Sequence, residues 1–150
     1  MGKNVLDQDA KQEILQRIDK LTQKTERKWG KMNSSQVMRH IRIGYQNALG
    51  EVLPTPSGGK FKQAFMKLLL LNMPAPKGKA QTMPEFDVVA NGIDPKDFEG
   101  ERTELKRYIE KFSSAPTLNP TNSIGGPFTR EDWGRLMYNH TNHHLSQFGV

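Results

Sequence analysis

A chain of 150 residues fits one domain and can bury about two-thirds of its unfolded surface, so it needs no covalent staples. It has no cysteine, which excludes a disulfide framework, a thiolate metal site and a cysteine nucleophile; imidazole nitrogen and oxygen are left as the expected metal donors. A net charge of +6 and a pI near 9.6 would suit an acidic partner.

Against a nucleic-acid interface, lysines and arginines are spread through the chain among acids, and the aromatics are not interleaved as stacking platforms. A solvated basic surface is the expectation. No segment reaches the roughly 18 consecutive apolar residues of a membrane-spanning helix. The opening Met1-Gly2-Lys3-Asn4-Val5-Leu6-Asp7 lacks a signal-peptide apolar core, and Leu6 stands where a myristoylation signal has Ser or Thr. A soluble cytoplasmic protein is therefore expected, with no nucleic acid or membrane among its partners.

In chain order, Leu6, Ala10, Ile14, Ile18 and Leu21 recur at the spacing of one helix face. They predict an amphipathic helix from Asp7 to about Thr25. After a break at Trp29-Gly30-Lys31-Met32, Asn33 with Gln36 three residues on reads as a capping box. The helix it opens carries Val37, Ile41, Tyr45 and Ala48 on one stripe and ends at Gly50. His40 falls on or beside that stripe, next to Val37, Ile41 and Gly44.

Pro54 to Gly59 is a loop by composition. Lys60 to Asn72 is a short apolar and basic piece with two readings. It suits a membrane-surface helix, or a short helix covering one end of the core; its narrow polar face favours the second. The wider stretch Lys60 to Lys79 holds Lys60, Lys62, Lys67, Lys77 and Lys79 without an acid. From Met73 to Gly92, Pro74, Pro76 and Pro84 with Gly78 and Gly92 forbid a long element, leaving a connection of about twenty residues.

Asp94-Pro95 is expected to open the next helix, as cap and first helical residue, with Phe98, Arg102, Leu105, Ile109 and Phe112 on its stripe. Ser113 to Phe128 reads as loop. Thr129 caps the last helix, with Glu131 and Asp132 in the first turn where acids favour the helix dipole. It runs to about Gln147 with Trp133, Leu136, Met137, His140 and His144 on one face. There is no convincing strand pattern and no internal repeat. The expected fold is all-α: a four-helix bundle with an additional short helix in the long middle connection, one domain over residues 1–150.

Three of the four histidines fall within five residues of the last helix. His140 and His144 are four apart, so both project from one side, and they continue the inward stripe of Trp133 and Met137. Imidazoles at that spacing suit one cation held at about 2.0–2.1 Å. His40 is inward on its own helix. Burying three imidazoles is costly unless each donor and acceptor is satisfied, and a shared metal satisfies all three. The competing reading is a structural, hydrogen-bonded cluster. His143 points about 100° away from His144; it is assigned to packing, an outer hydrogen bond or the surface, with a His140–His143 pair at spacing three as the alternative.

The tail Phe128-Thr129-Arg130-Glu131-Asp132-Trp133-Gly134, with Tyr138-Asn139-His140-Thr141-Asn142-His143-His144-Leu145-Ser146-Gln147-Phe148, resembles the C-terminal signature of the DinB/YfiT-like superfamily. It looks closest to a branch of unassigned function ending in His-His-Leu-x-Gln-Phe. Trp29-Gly30-Lys31-Met32, running into the helix with His40, is similar to that family's first motif; Glu51 to Leu118 matches only in helical pattern. The resemblance implies a four-helix bundle, commonly dimeric, with a divalent metal on His40, His140 and His144. Zinc or nickel is expected first among zinc, nickel, iron and copper. It also implies a small-molecule substrate or thiol, since characterised relatives include thiol-dependent transferases and isomerases. A metal-dependent thiol transferase, or a related hydrolase or isomerase, is the activity it points to. Against this stands a non-catalytic bundle acting through its surface or a dimer interface, the exposed apolar area being sought at Trp29 and at Phe61 and Phe65. A basic nucleic-acid or membrane binder acting through Lys60 to Lys79 comes last.

Overall fold

Capping side chains decide where the helices begin. In the computed structural model, which describes residues 2–78 and 82–150, α1 spans Gln8–Asp19, α2 Ser34–Ala48, α3 Lys60–Asn72, α4 Phe98–Ser114 and α5 Arg130–Ser146. The Asn33–Gln36 capping box opens α2, with Asn33 Oδ1 accepting from Gln36 N at 2.8 Å and Gln36 Oε1 accepting from Asn33 N at 2.9 Å. Thr129 and Asp132 form the same reciprocal pair at the start of α5.

Three boundaries differ from the sequence expectation. α1 stops at Asp19, its last turn closed by Lys20 N donating to Arg17 O and Leu21 N to Ile18 O, each at 3.1 Å; Arg102 of α4 then donates to Ile18 O at 3.1 Å and to Leu21 O, just beyond the helix, at 2.7 Å. Thr22 and Thr25 then turn the chain through a backbone-to-hydroxyl bond of 2.8 Å. Leu21 stays fully buried although it lies past the helix end, which is why the apolar period read as continuing. α4 opens at Phe98 and not at Pro95. Asp97 is the cap, accepting from Gly100 N at 2.9 Å, while Asp94 is engaged by Asn33 and Lys96. The segment expected to be wholly loop contains a minimal antiparallel hairpin, β1 Thr121–Asn122 and β2 Gly126–Pro127, with Thr121 opposite Pro127. Asn122 Oδ1 nucleates its turn by accepting from Ile124 N at 2.9 Å and Gly125 N at 2.8 Å.

α1 and α2 each pack against both α4 and α5, closing a ring of four helices around one core; α3 lies outside, against α5 and β2. Ile14, Ile18, Met38, Ile41, Tyr45, Leu105, Ile109, Phe112, Trp133 and Leu145 fill the interior. The all-α class is as expected. Trp133 buries its indole in the core, and its N–H reaches Asn119 O at 2.6 Å, satisfying the one polar atom of that side chain. Asn119 N in turn donates to Ala48 O at 2.8 Å, tying the hairpin segment to the end of α2. Among its described residues the middle connection contains one 3₁₀ turn, at Pro84–Phe86. Lys79 of the basic stretch lies outside the described residues. Among the described residues no helix is long and apolar enough to cross a membrane.

Candidate metal centre

Two helices bring the histidines together. α2 and α5 lie side by side, and within their contact Tyr45 Oη and Thr141 Oγ1 share a hydrogen bond of 3.2 Å with both residues fully buried. His40 projects from α2 into the same interface, and His140 and His144 project from α5. The closeness depends on Gly44: a Cβ placed there would sit 3.1 Å from Met137 Cε and 3.2 Å from His140 Cε1 and Nδ1. A glycine inside a helix costs about 1 kcal/mol relative to alanine. Here it admits an imidazole from the neighbouring helix.

One ring nitrogen from each of His40, His140 and His144 lies within 4.8 Å of the other two. The ring centroids are 5.0 Å apart for His40–His140, 4.5 Å for His40–His144 and 4.7 Å for His140–His144. The outer nitrogens settle which atoms face inward. His40 Nδ1 is 2.8 Å from Phe86 O, which can only accept, so His40 carries its proton on Nδ1 and presents the Nε2 lone pair. His144 Nδ1 likewise donates to Gln147 Oε1 at 2.7 Å, leaving Nε2 with a free lone pair. Fixing ligand tautomers through a carbonyl or amide partner is the usual outer arrangement of a histidine metal site.

His140 completes the set differently. Its Nε2 lies 3.1 Å from His40 Nε2, and its Nδ1 is buried against Gly44 with no hydrogen-bond partner among the described residues. Two imidazole nitrogens on a tetrahedral ion at about 2.0–2.1 Å would be about 3.3 Å apart, so the observed separation is close to that of two ligands of one metal. Without a cation, His140 Nε2–H would have to donate to His40 Nε2, because His40 already spends its proton on Phe86. The residues present therefore fit a divalent ion, with three neutral nitrogen donors.

Burial keeps these rings neutral. His40 and His144 are 6% and 9% exposed, and His140 is partly buried with its Nδ1 out of solvent. Desolvation is the leading cause that lowers each of their pKa values; His144 is pushed down to about 3, and its neighbour His40 adds to the effect. His140 falls well below the ordinary imidazole value, first through desolvation and then through His144 and His40. A site that holds imidazoles unprotonated has already met the proton cost of binding a cation.

His143 stands outside the group. It is half-buried, its ring 5.0 Å from that of His144 and 6.3 Å from that of Trp29, so of packing, an outer hydrogen bond and the surface it is packing that its position favours. Trp29 is not the exposed apolar patch anticipated from the sequence: it is partly buried, with Lys77 Nζ 4.6 Å from its ring centre. Three participants escaped the sequence reading. Gln147 had a signal, being three residues after His144 in the terminal motif. Gly44 had a weaker one, as a glycine inside a strong helix pattern beside His40. The Phe86 carbonyl had none, since any residue can supply it.

No curated protein and no solved structure matches the chain. A family model does, over residues 1–149, and its description is a protein of unknown function, DUF1569. The chain belongs to that family.

Proposed function

We propose that His40, His140 and His144 bind one divalent metal ion and that the centre serves a metal-dependent reaction on a small molecule. The observation that carries the reading is the tautomer arrangement. Phe86 O and Gln147 Oε1 hold the Nδ1 protons of His40 and His144, aiming two Nε2 lone pairs at the place that His140 Nε2 also faces. Three protein ligands are the pattern of catalytic rather than closed structural zinc sites, in which a further position takes water or substrate. A divalent ion there would supply Lewis acidity and favour a bound thiol in its thiolate form. The protein's own part is to orient the imidazoles, keep them unprotonated and leave the ion its full positive charge, which suits an anionic ligand. The resemblance of the Trp29–His40 and Phe128–Phe148 segments to DinB/YfiT-like proteins supports a thiol-dependent transferase, or a related hydrolase or isomerase.

A second reading has its own observation. The 3.1 Å contact between His40 Nε2 and His140 Nε2 is also a good neutral hydrogen bond, so the cluster could be a purely structural feature of a non-catalytic bundle. Metal analysis of protein purified without an affinity tag or added metal separates the two. The metal reading expects about one divalent ion per chain and a lower melting temperature after chelation. Metal-free protein that takes up no zinc or nickel on titration, with unchanged stability in chelator, would leave the structural reading standing.

A further inference from the structure

The outer side of α3 leaves large apolar side chains in solvent. Phe61 is 95% exposed, and Phe65 and Leu68 are each 60% exposed. Their spacing puts all three on one face of the helix, and Met73, just beyond its end, is also exposed. The inner side is fastened by other means. Leu71 is the buried residue of α3, Lys67 meets Asp132 at 2.7 Å, and Arg135 and Asn139 of α5 donate to the carbonyls of Leu71 and Leu70. α3 is thus apolar on two sides, which is why its polar face read as too narrow for an interfacial helix. Its inner side belongs to the fold, and the outer row is surplus to it.

Charge selects the occupant. From Val52 to Pro84 the sequence has no Asp or Glu, and Lys60 and Lys62 stand exposed at the start of the same helix. Lys67 and Arg135, by contrast, are already engaged by Asp132 and by the last carbonyls of α3. A second copy laid on this face would bury the apolar row, but it would bring the same uncompensated lysines and no acids from this stretch to meet them. We propose that the outer face of α3 docks reversibly on an anionic lipid surface. Phe61, Phe65 and Leu68 enter the boundary between headgroups and acyl chains, and Lys60 and Lys62 meet the anionic headgroups. This places the protein at a membrane surface, a partner that neither the spanning length nor the narrow polar face of the helix points to. It is independent of the histidine centre.

Vesicle sedimentation of the full chain tests it, with phosphatidylcholine alone and with phosphatidylcholine mixed with phosphatidylglycerol. Partition onto the anionic vesicles is expected, weakened on the order of 10-fold by raised salt and by Lys60→Gln with Lys62→Gln. The double variant Phe61→Ser, Phe65→Ser should lose at least about 10-fold while keeping the helical circular dichroism and melting temperature of the parent. No partition onto anionic vesicles overturns the proposal. So does equal binding by the phenylalanine variant, which would mean that charge alone is responsible. Displacement from vesicles by soluble polyglutamate with the phenylalanines dispensable would assign the surface to an acidic protein partner. A dimer in light scattering that the phenylalanine variant abolishes would assign it to a second copy.

Discussion

The α2–α5 interface and the outer side of α3 depart from ordinary residue placement in opposite directions. One buries His40 and His144, and partly buries His140, where apolar side chains would pack; the other exposes Phe61, Phe65 and Leu68 where polar ones would be solvated. Buried polar groups and exposed apolar rows are the placements that carry information, because folding alone has no use for either. The two regions also differ in how they are held. His40 and His144 are each fixed by an outer hydrogen bond, whereas the phenylalanines of α3 stand mostly in solvent, Phe61 almost wholly so. A region whose side chains are oriented in advance suits a small, directional ligand such as an ion. A region of unrestrained apolar side chains suits a soft, extended surface.

The largest difference should come from the histidines themselves. His140→Ala removes a proposed ligand, and its metal affinity in competition with a chromogenic chelator should fall by more than the roughly 100-fold that loss of an outer partner costs at most. His143→Ala lies next but two on the same helix and should change affinity less than about 10-fold. Equal affinities in the two variants would dissolve the ligand assignment, and a larger loss for His143→Ala would shift it to the pair spaced by three.

Acid should act on the same end of the molecule. In the unfolded chain imidazole titrates near pH 6.5, whereas burial lowers the values of His40, His140 and His144 in the fold, that of His144 to about 3. Above about pH 6.5 both states are neutral and these groups leave stability unchanged. As the pH falls below that, the unfolded chain takes up protons that the folded chain refuses, so stability is lost. His144 alone should account for about 2 kcal/mol by about pH 5, read from urea midpoints of the metal-free protein. A His144→Asn variant should lose correspondingly less between neutral pH and that point, and an identical loss would show that the ring is not held neutral. Smaller again is the effect of Gln147→Leu, which leaves the His144 tautomer unfixed. Metal affinity should drop about 10-fold with little change in helix content; an unchanged affinity would mean that Gln147 only packs.

Much of this was legible in the sequence, for reasons that individual residues make plain. The phase of Trp133, Met137, His140 and His144 is a local property of one helix, and the 3.6-residue period carries it. The Asn33–Gln36 and Thr129–Asp132 caps are likewise local. What failed to show required a partner distant in sequence. The end of α1 is capped by Arg102, which lies far along the chain; the hairpin at Thr121–Pro127 is too short for any period and rests on the Asn122 side chain; the Phe86 carbonyl is backbone. The length and apolar content of α3 were evident, but its division into an inner side and an unpartnered outer row depended on where α5 would place Arg135 and Asn139.

The smallest expected effect is the one that most sharpens the contrast between the two regions. Phe61→Ser replaces a large apolar residue, a change that inside a core costs several kcal/mol through lost burial and an empty cavity. At 95% exposure Phe61 buries almost nothing and leaves no cavity behind, so the urea midpoint should move by no more than about 0.5 kcal/mol in equivalent stability. Leu71→Ala, ten residues on in the same helix, removes the side chain by which α3 enters the core and should cost about 2 kcal/mol or more. Phe and Ser have similar helix propensities, and Leu and Ala are both strong helix formers, so the gap between the two variants reports burial and not helix formation. If Phe61→Ser proved as damaging as Leu71→Ala, Phe61 would have to be buried in solution by another chain. The outer side of α3 would then be an ordinary hydrophobic core completed by assembly, and its contrast with the histidine interface would vanish.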